Sequence, residues 1–177
     1  MEQAKSQSKW RREREECTLE KVKQDILALG GALNKAEAVG IIGSLLREDF
    51  NDDSDIDLFI AMDDDTFHQQ RGVDWIGYWH DIFKPALAKY RRDVDCIVYS
   101  MTGLKKVNNW YVLVVASDAV LVYDKGKVAP LFQRIIDAAL KAGLVKKKRG
   151  VHTVWGLHKP KFGQLVKVEV EDDDEPS

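Results

Sequence analysis

Cysteine is scarce in this chain, with two among 177 residues. Cys17 and Cys96 are too few and too unpatterned for a disulfide framework or a thiolate metal site. No apolar run reaches the roughly 18 residues that a membrane helix needs, and the polar amino terminus has no apolar signal segment. The expected compartment is therefore the cytoplasm. An excess of one charge sign is missing too. A formal net charge of −2 argues against a protein that works mainly by coating nucleic acid. What is present is material for a core. At 45% hydrophobic and 32% charged, the composition gives no sign of general disorder, and the length suits one domain with a small appendage.

The pattern along the chain is mixed. The apolar positions Leu19, Val22, Ile26, Leu27 and Leu29 fit helical spacing from Thr18 onward, with Gly30-Gly31 as a stop. Residues 38–42 read as a first strand ending at Gly43-Ser44, and residues 55–61 as a second. Asp63, Asp64 and Asp65 read as a loop leading into an aromatic-rich helix over 73–90, which Pro85 could kink. A third strand is expected over 93–100, one helix over 101–116 and a short strand over 119–123. Pro130 and Gly143 suit the two ends of a helix over 131–142. Residues 152–157 and 164–170 read as the two arms of a closing hairpin. No internal repeat is visible. The fold class is α+β, a small mixed sheet flanked by helices.

The chemistry concentrates between Gly43 and Asp95. Asp55 and Asp57 are spaced i and i+2 in an apolar run, so on a strand both carboxylates share one face, about 7 Å apart along the backbone. From Arg47 to Asp65 there are nine acids and one base. A bare surface of that kind repels a triphosphate, so phosphate binding there calls for a divalent cation between carboxylates and phosphate oxygens. Gly43 permits close backbone approach to a ligand, and backbone N–H groups with the Ser44 hydroxyl can donate to phosphate oxygens. A third carboxylate is available from Asp93 or Asp95. Asp95 lies against the apolar run and is the better candidate, although a register shift would exchange the two.

Gly43-Ser44, Arg47 and Ser54-Asp55-Ile56-Asp57-Leu58, followed by Val94-Asp95, resemble the nucleotidyltransferase superfamily related to DNA polymerase β. The resemblance is closest to its minimal, MNT-type members, and it covers roughly residues 18–125. It implies a domain over 18–125, preceded by a polar lead-in over 1–17. A helix-and-hairpin extension would follow over 126–170, then an acidic tail over 171–177. It implies transfer of a nucleoside monophosphate from a nucleoside triphosphate, with ATP the expected donor, to an acceptor hydroxyl. Asp55, Asp57 and Asp95 would be the catalytic and metal-binding residues, holding two Mg²⁺ ions with Mn²⁺ as a substitute. Gly43, Ser44, Arg47 and Ser54 would bind the nucleotide. Minimal members often serve as antitoxins that adenylylate a tyrosine of a HEPN-type toxin, so a protein partner of that type is implied. Nucleic acid is not an expected partner, nor is a membrane.

One position departs from the family pattern. Glu48 stands where a glycine usually follows the arginine. That departure favours the alternative, a catalytically weak nucleotide- or partner-binding module of a toxin–antitoxin pair. Other residues have plainer readings. Arg47 suits an ion pair with nearby acids, and Trp75, Trp79, Trp110 and Tyr111 suit the core better than a base-stacking platform. Lys146, Lys147, Lys148 and Arg149 read as a solvated turn. His68, His80, His152 and His158 lack metal-ligand spacing, and Cys96 reads as a small buried hydrophobe.

Overall fold

The computed structural model describes residues 15–69, 72–161 and 163–170. Most of the expected lead-in over 1–17, and the whole acidic tail over 171–177, lie outside the described residues. Thr18 starts α1 (Leu19–Ala28), where its Oγ1 accepts from the Lys21 N–H at 3.4 Å and satisfies one of the first-turn donors. Val22 and Ile26, one turn apart, are fully buried. Gly30 adopts φ +50 at the point where the helix gives way to a 3-10 turn.

Strand β1 (Ala38–Ile42) pairs antiparallel with β2 (Ile56–Met62), and β2 pairs in parallel with β3 (Val94–Ser100). Strand β4 (Val120–Asp124) joins β1 from the other side, giving the order β3-β2-β1-β4. A parallel pair needs a crossover, and α2 (Asp64–Gln69) with α3 (Trp75–Leu87) supplies it. Alternation along the strands sends successive side chains to opposite faces. On one face Ile41, Leu58, Ile60 and Cys96 pack with Val22, Ile26, Trp79 and Phe83 of α1 and α3. On the other, Phe59 and Ala61 meet α4 (Met101–Lys105), α5 (Trp110–Asp118) and α6 (Val128–Lys141). The chain is thus a mixed α+β protein with a four-stranded sheet. No helix among the described residues is long and apolar enough to cross a membrane.

Four local expectations change. The aspartates at 63–65 do not form a loop. Asp63 Oδ1 accepts from the Thr66 N–H at 2.8 Å and caps α2, while Asp64 and Asp65 occupy its first turn, where negative charge is favourable. The helix expected over 101–116 is two helices, because Val107 turns the chain at φ +44 and Asn109 caps α5 by accepting from the N–H groups of Tyr111 and Val112. The expected aromatic-rich helix is present as α3, which runs through Pro85 to Leu87.

The largest change is the closing hairpin. Strand β5 (Leu144–Arg149) pairs with β6 (His152–Leu157), Leu144 opposite Leu157 and Arg149 opposite His152. Residues 164–170 form no strand. The connection is Gly150-Val151, with Gly150 at φ +62, the two-residue kind that suits strand twist. The run from Lys146 to Arg149 is therefore strand rather than turn. In a two-stranded ribbon its side chains can stand in solvent on either side, and all four residues are exposed.

Candidate active site

The acidic residues gather at one end of the sheet. In the strand register Ile42 of β1 faces Asp57 of β2, and Asp57 faces Asp95 of β3. By strand alternation this row lies on the face covered by α5 and α6. Asp55 precedes β2 on the same side. Asp57 is half-buried, whereas Asp55 and Asp95 are exposed. The register places Asp95, rather than Asp93, opposite Asp57. Asp93 lies one step further out, where its carbonyl accepts from the Ile56 N–H at 2.9 Å. Burial pushes the Asp57 carboxyl above its ordinary value of 3.8, and the charges of Asp95 and then Asp55 add to the effect. The Ser44 backbone N–H and the Arg47 charge oppose it.

Gly43 and Ser44 open a 3-10 turn, Gly43–Leu46, at the end of β1. Gly43 has φ +77, and a Cβ there would overlap the Asp57 carboxylate. Both features require glycine. The turn therefore comes up against the acid row itself, and the nearby Ser44 backbone favours the ionised form of Asp57.

Arg47 grips Asp49 with two hydrogen bonds, Nε to Oδ1 at 2.9 Å and Nη2 to Oδ2 at 3.2 Å, and holds its carboxyl below the usual range. The Ser54 hydroxyl accepts from the Asn51 N–H at 3.0 Å and so braces the loop before Asp55. Glu48 is exposed. Among the described residues only Arg91 and Val107 combine a side chain with positive φ, so the backbone at 48 does not call for glycine.

A residue absent from the sequence reading organises this loop. Arg92, its side chain 6% exposed, donates through Nη1 to the carbonyls of Asn51 and Ser54 at 2.5 and 2.6 Å. Its guanidinium lies 4.2 Å from the centre of the Phe50 ring. Buried Arg92 thus fastens the segment between Arg47 and Asp55 to the start of β3.

Next to Gly43 and Arg47 lies a cleft of about 370 Å³, walled by Trp110, Tyr111 and Val114 of α5 and by Lys148, His152 and Thr153 of the hairpin. Trp110 is 61% exposed rather than part of the core, whereas Trp75 and Trp79 are buried as expected. His152, which had no assigned role, lines the same cleft. Lys146 and Trp155 dock the hairpin on the end of α5. Lys146 Nζ lies 2.6 Å from Asp118 Oδ1, and Trp155 Nε1 is 3.4 Å from Ser117 Oγ.

Residues 19–88 match the model of the nucleotidyltransferase domain family. The chain carries a nucleotidyltransferase domain. This places it among enzymes of that type. Two solved structures are similar over part of the chain. A protein described as a candidate nucleotidyltransferase from Sulfolobus solfataricus is 22% identical, over 60% of this chain and 81% of its own, with a TM-score of 0.37. A mutant of the toxin–antitoxin pair MntA-HpeT is 16% identical, over 62% of this chain and 79% of its own, with a TM-score of 0.41. At those scores neither carries an argument about this chain. No curated protein matches it.

The matched segment of the nucleotidyltransferase domain holds Asp55 and Asp57 but ends before Asp95 and before both aromatic walls of the cleft. The family's chemistry generally draws on divalent metal ions. Among the described residues no three His, Cys, Asp or Glu side chains converge into a ready-made metal cage. The donor set nevertheless suits a hard cation that arrives with phosphate oxygens. The charges of Asp95 and Asp55 raise the proton affinity of Asp57, and one or two carboxylates suffice for Mg²⁺ when substrate supplies the remaining ligands.

Proposed function

We propose that the protein transfers a nucleoside monophosphate from a nucleoside triphosphate, with ATP as donor, to an acceptor hydroxyl. The observation that carries this reading is the pairing of Asp57 with Asp95 directly against the Gly43-Ser44 turn. In it Asp55, Asp57 and Asp95 would hold Mg²⁺, with Mn²⁺ as a substitute, and two ions are the full complement. When bound, the divalent cation neutralises triphosphate charge and favours ionisation of the attacking hydroxyl.

The protein's own contribution is position. The Gly43 turn packs directly against the Asp57 carboxylate and would bring backbone close enough to meet phosphate oxygens. Arg47 and Arg92 brace the loop that ends in Asp55. In-line displacement at the α-phosphorus depends chiefly on such placement. Gly43, Ser44 and Arg47 are the proposed nucleotide contacts, and Ser54 contributes by shaping the loop.

The acceptor we propose is a tyrosine hydroxyl of a partner protein, such as a HEPN-type toxin. This part rests on the motif resemblance. The competing reading, a catalytically weak binding module, drew its support from Glu48. Glu48 is exposed on ordinary backbone, so it gives that reading no backbone argument, and its charge is what remains of it.

Incubation with labelled ATP, CTP, GTP or UTP and Mg²⁺ or Mn²⁺, with and without cell extract, tests the proposal. Label is expected on a protein acceptor, and it should disappear with Asp55→Ala or Asp57→Ala. No transfer with any nucleotide or metal would overturn it.

A further inference from the structure

We propose that the cleft between the Gly43–Leu46 turn, α5 and the hairpin receives the nucleobase of the donor nucleoside triphosphate, with Trp110 as its stacking platform. This assignment rests on the proposed nucleotidyl transfer and adds to it a recognition element that lies outside the matched domain.

Position is the first ground. The sheet order runs from β3 at one edge, through β2 and β1, to β4. Asp95 is on the edge strand, Asp57 on its neighbour, and Gly43 at the end of β1. Gly43 and Arg47 line the cleft, and Asp95 is not among its walls. A triphosphate held at the carboxylates with its base in the cleft leaves the Asp95 edge open to an acceptor. Tyr111 joins the two regions, since it lines the cleft while its hydroxyl feels the Asp57 charge.

The chemistry of the walls is the second ground. Trp110 leaves a large aromatic ring 61% exposed, with Tyr111 edge-on at 5.7 Å. Flat aromatic surface beside a phosphate site suits a base, because every base has a π-face to stack. Thr153, on the hairpin wall, is only 6% exposed. Its hydroxyl helps hold the neighbouring Asp118 ionised, which makes that wall polar. The volume, about 370 Å³, is within the range of small-molecule sites.

The test compares equilibrium binding of Mg²⁺-ATP with Mg²⁺-tripolyphosphate, which presents three phosphates and no base. The wild type is expected to prefer ATP by about 5- to 150-fold, the span that one base–aromatic stack supplies. Trp110→Ala should abolish the preference and leave tripolyphosphate binding unchanged, whereas Trp110→Phe should retain most of it. Trp110 is exposed and outside the core, and an unchanged unfolding temperature verifies that the variants fold. Equal wild-type affinity for the two ligands would overturn the base pocket alone, as would an undiminished preference in Trp110→Ala. Failure of the wild type to bind either ligand would overturn the nucleotidyl-transfer reading and this assignment with it.

Discussion

A side chain at Gly43 would occupy the space of the Asp57 carboxylate. The Ser44 backbone favours the ionised form of that same carboxylate. The glycine-serine turn and the aspartate pair, separate motifs in the sequence, are therefore one steric unit. The turn positions an acid as well as offering backbone to a phosphate.

Gly43→Ala should disrupt that unit. Positive φ and the overlap with Asp57 act together, at a cost of about 1–3 kcal/mol. For a chain of this length each kcal/mol lowers the melting temperature by about 2–4 °C. Thermal unfolding should show a fall of several degrees, with nucleotide transfer lost. An unchanged melting temperature would contradict the steric account.

Asp57→Asn should move stability and activity in opposite directions. Burial and the charges of Asp95 and Asp55 oppose ionisation of Asp57, and an amide of the same shape carries no charge to oppose. Without divalent metal the variant should be more stable by about 0.5–1 kcal/mol after allowance for solvent screening. Transfer should be abolished. Calorimetry in chelator compares the two proteins.

Most of this site was legible in the sequence because its parts lie on short, strongly patterned strands. Asp55 and Asp57 sit in an apolar run whose period-2 alternation fixes their common face. Asp95 needed only the register to separate it from Asp93. The cleft was not legible. Helix α5 is apolar almost all round, so periodicity could not tell the exposed Trp110 from the buried Val112 and Val115. The hairpin wall was hidden because a run of four basic residues resembles a solvated turn. The residues at 164–170 offered a rival partner for β6, and only the Gly150-Val151 connection distinguished the true pairing. Arg92 gave no signal at all, since its partners are backbone carbonyls and backbone acceptors carry no residue-type pattern.

Arg92→Ala should loosen the loop that carries Asn51 and Ser54. Two charge-assisted hydrogen bonds from a buried guanidinium are lost, a destabilisation of about 2–3 kcal/mol. Hydrogen exchange at residues 51–54 should quicken by more than at β4, which Arg92 does not touch. Arg92→Lys should recover only part of the protection, because an ammonium cannot reproduce the planar fork. Uniform acceleration across the protein would show that Arg92 has no special hold on this loop.

Hairpin attachment should weaken in acid. Burial pushes the Asp118 carboxyl up, but the Lys146 ammonium and the neighbouring Thr153 and Ser117 hydroxyls outweigh it and leave the group below its ordinary value of 3.8. A carboxyl with a depressed folded-state value adds stability that is complete above the unfolded value and lost as pH falls through the folded one. Protection of the β5–β6 amides should therefore decline below about pH 3.8. Lys146→Met, which removes the ammonium, should shift that decline to higher pH. An unshifted profile would contradict the role of the pair.

The central claim is that Asp57 and Asp95 support transfer of a nucleotidyl group. ATP labelled at the α-phosphorus and ATP labelled at the γ-phosphorus, offered in parallel with Mg²⁺ and a protein acceptor, test it most directly. The account predicts incorporation of the α label alone, with loss of incorporation in Asp57→Asn and Asp95→Asn proteins that remain folded. Incorporation of the γ label, or undiminished α incorporation in either variant, would contradict it.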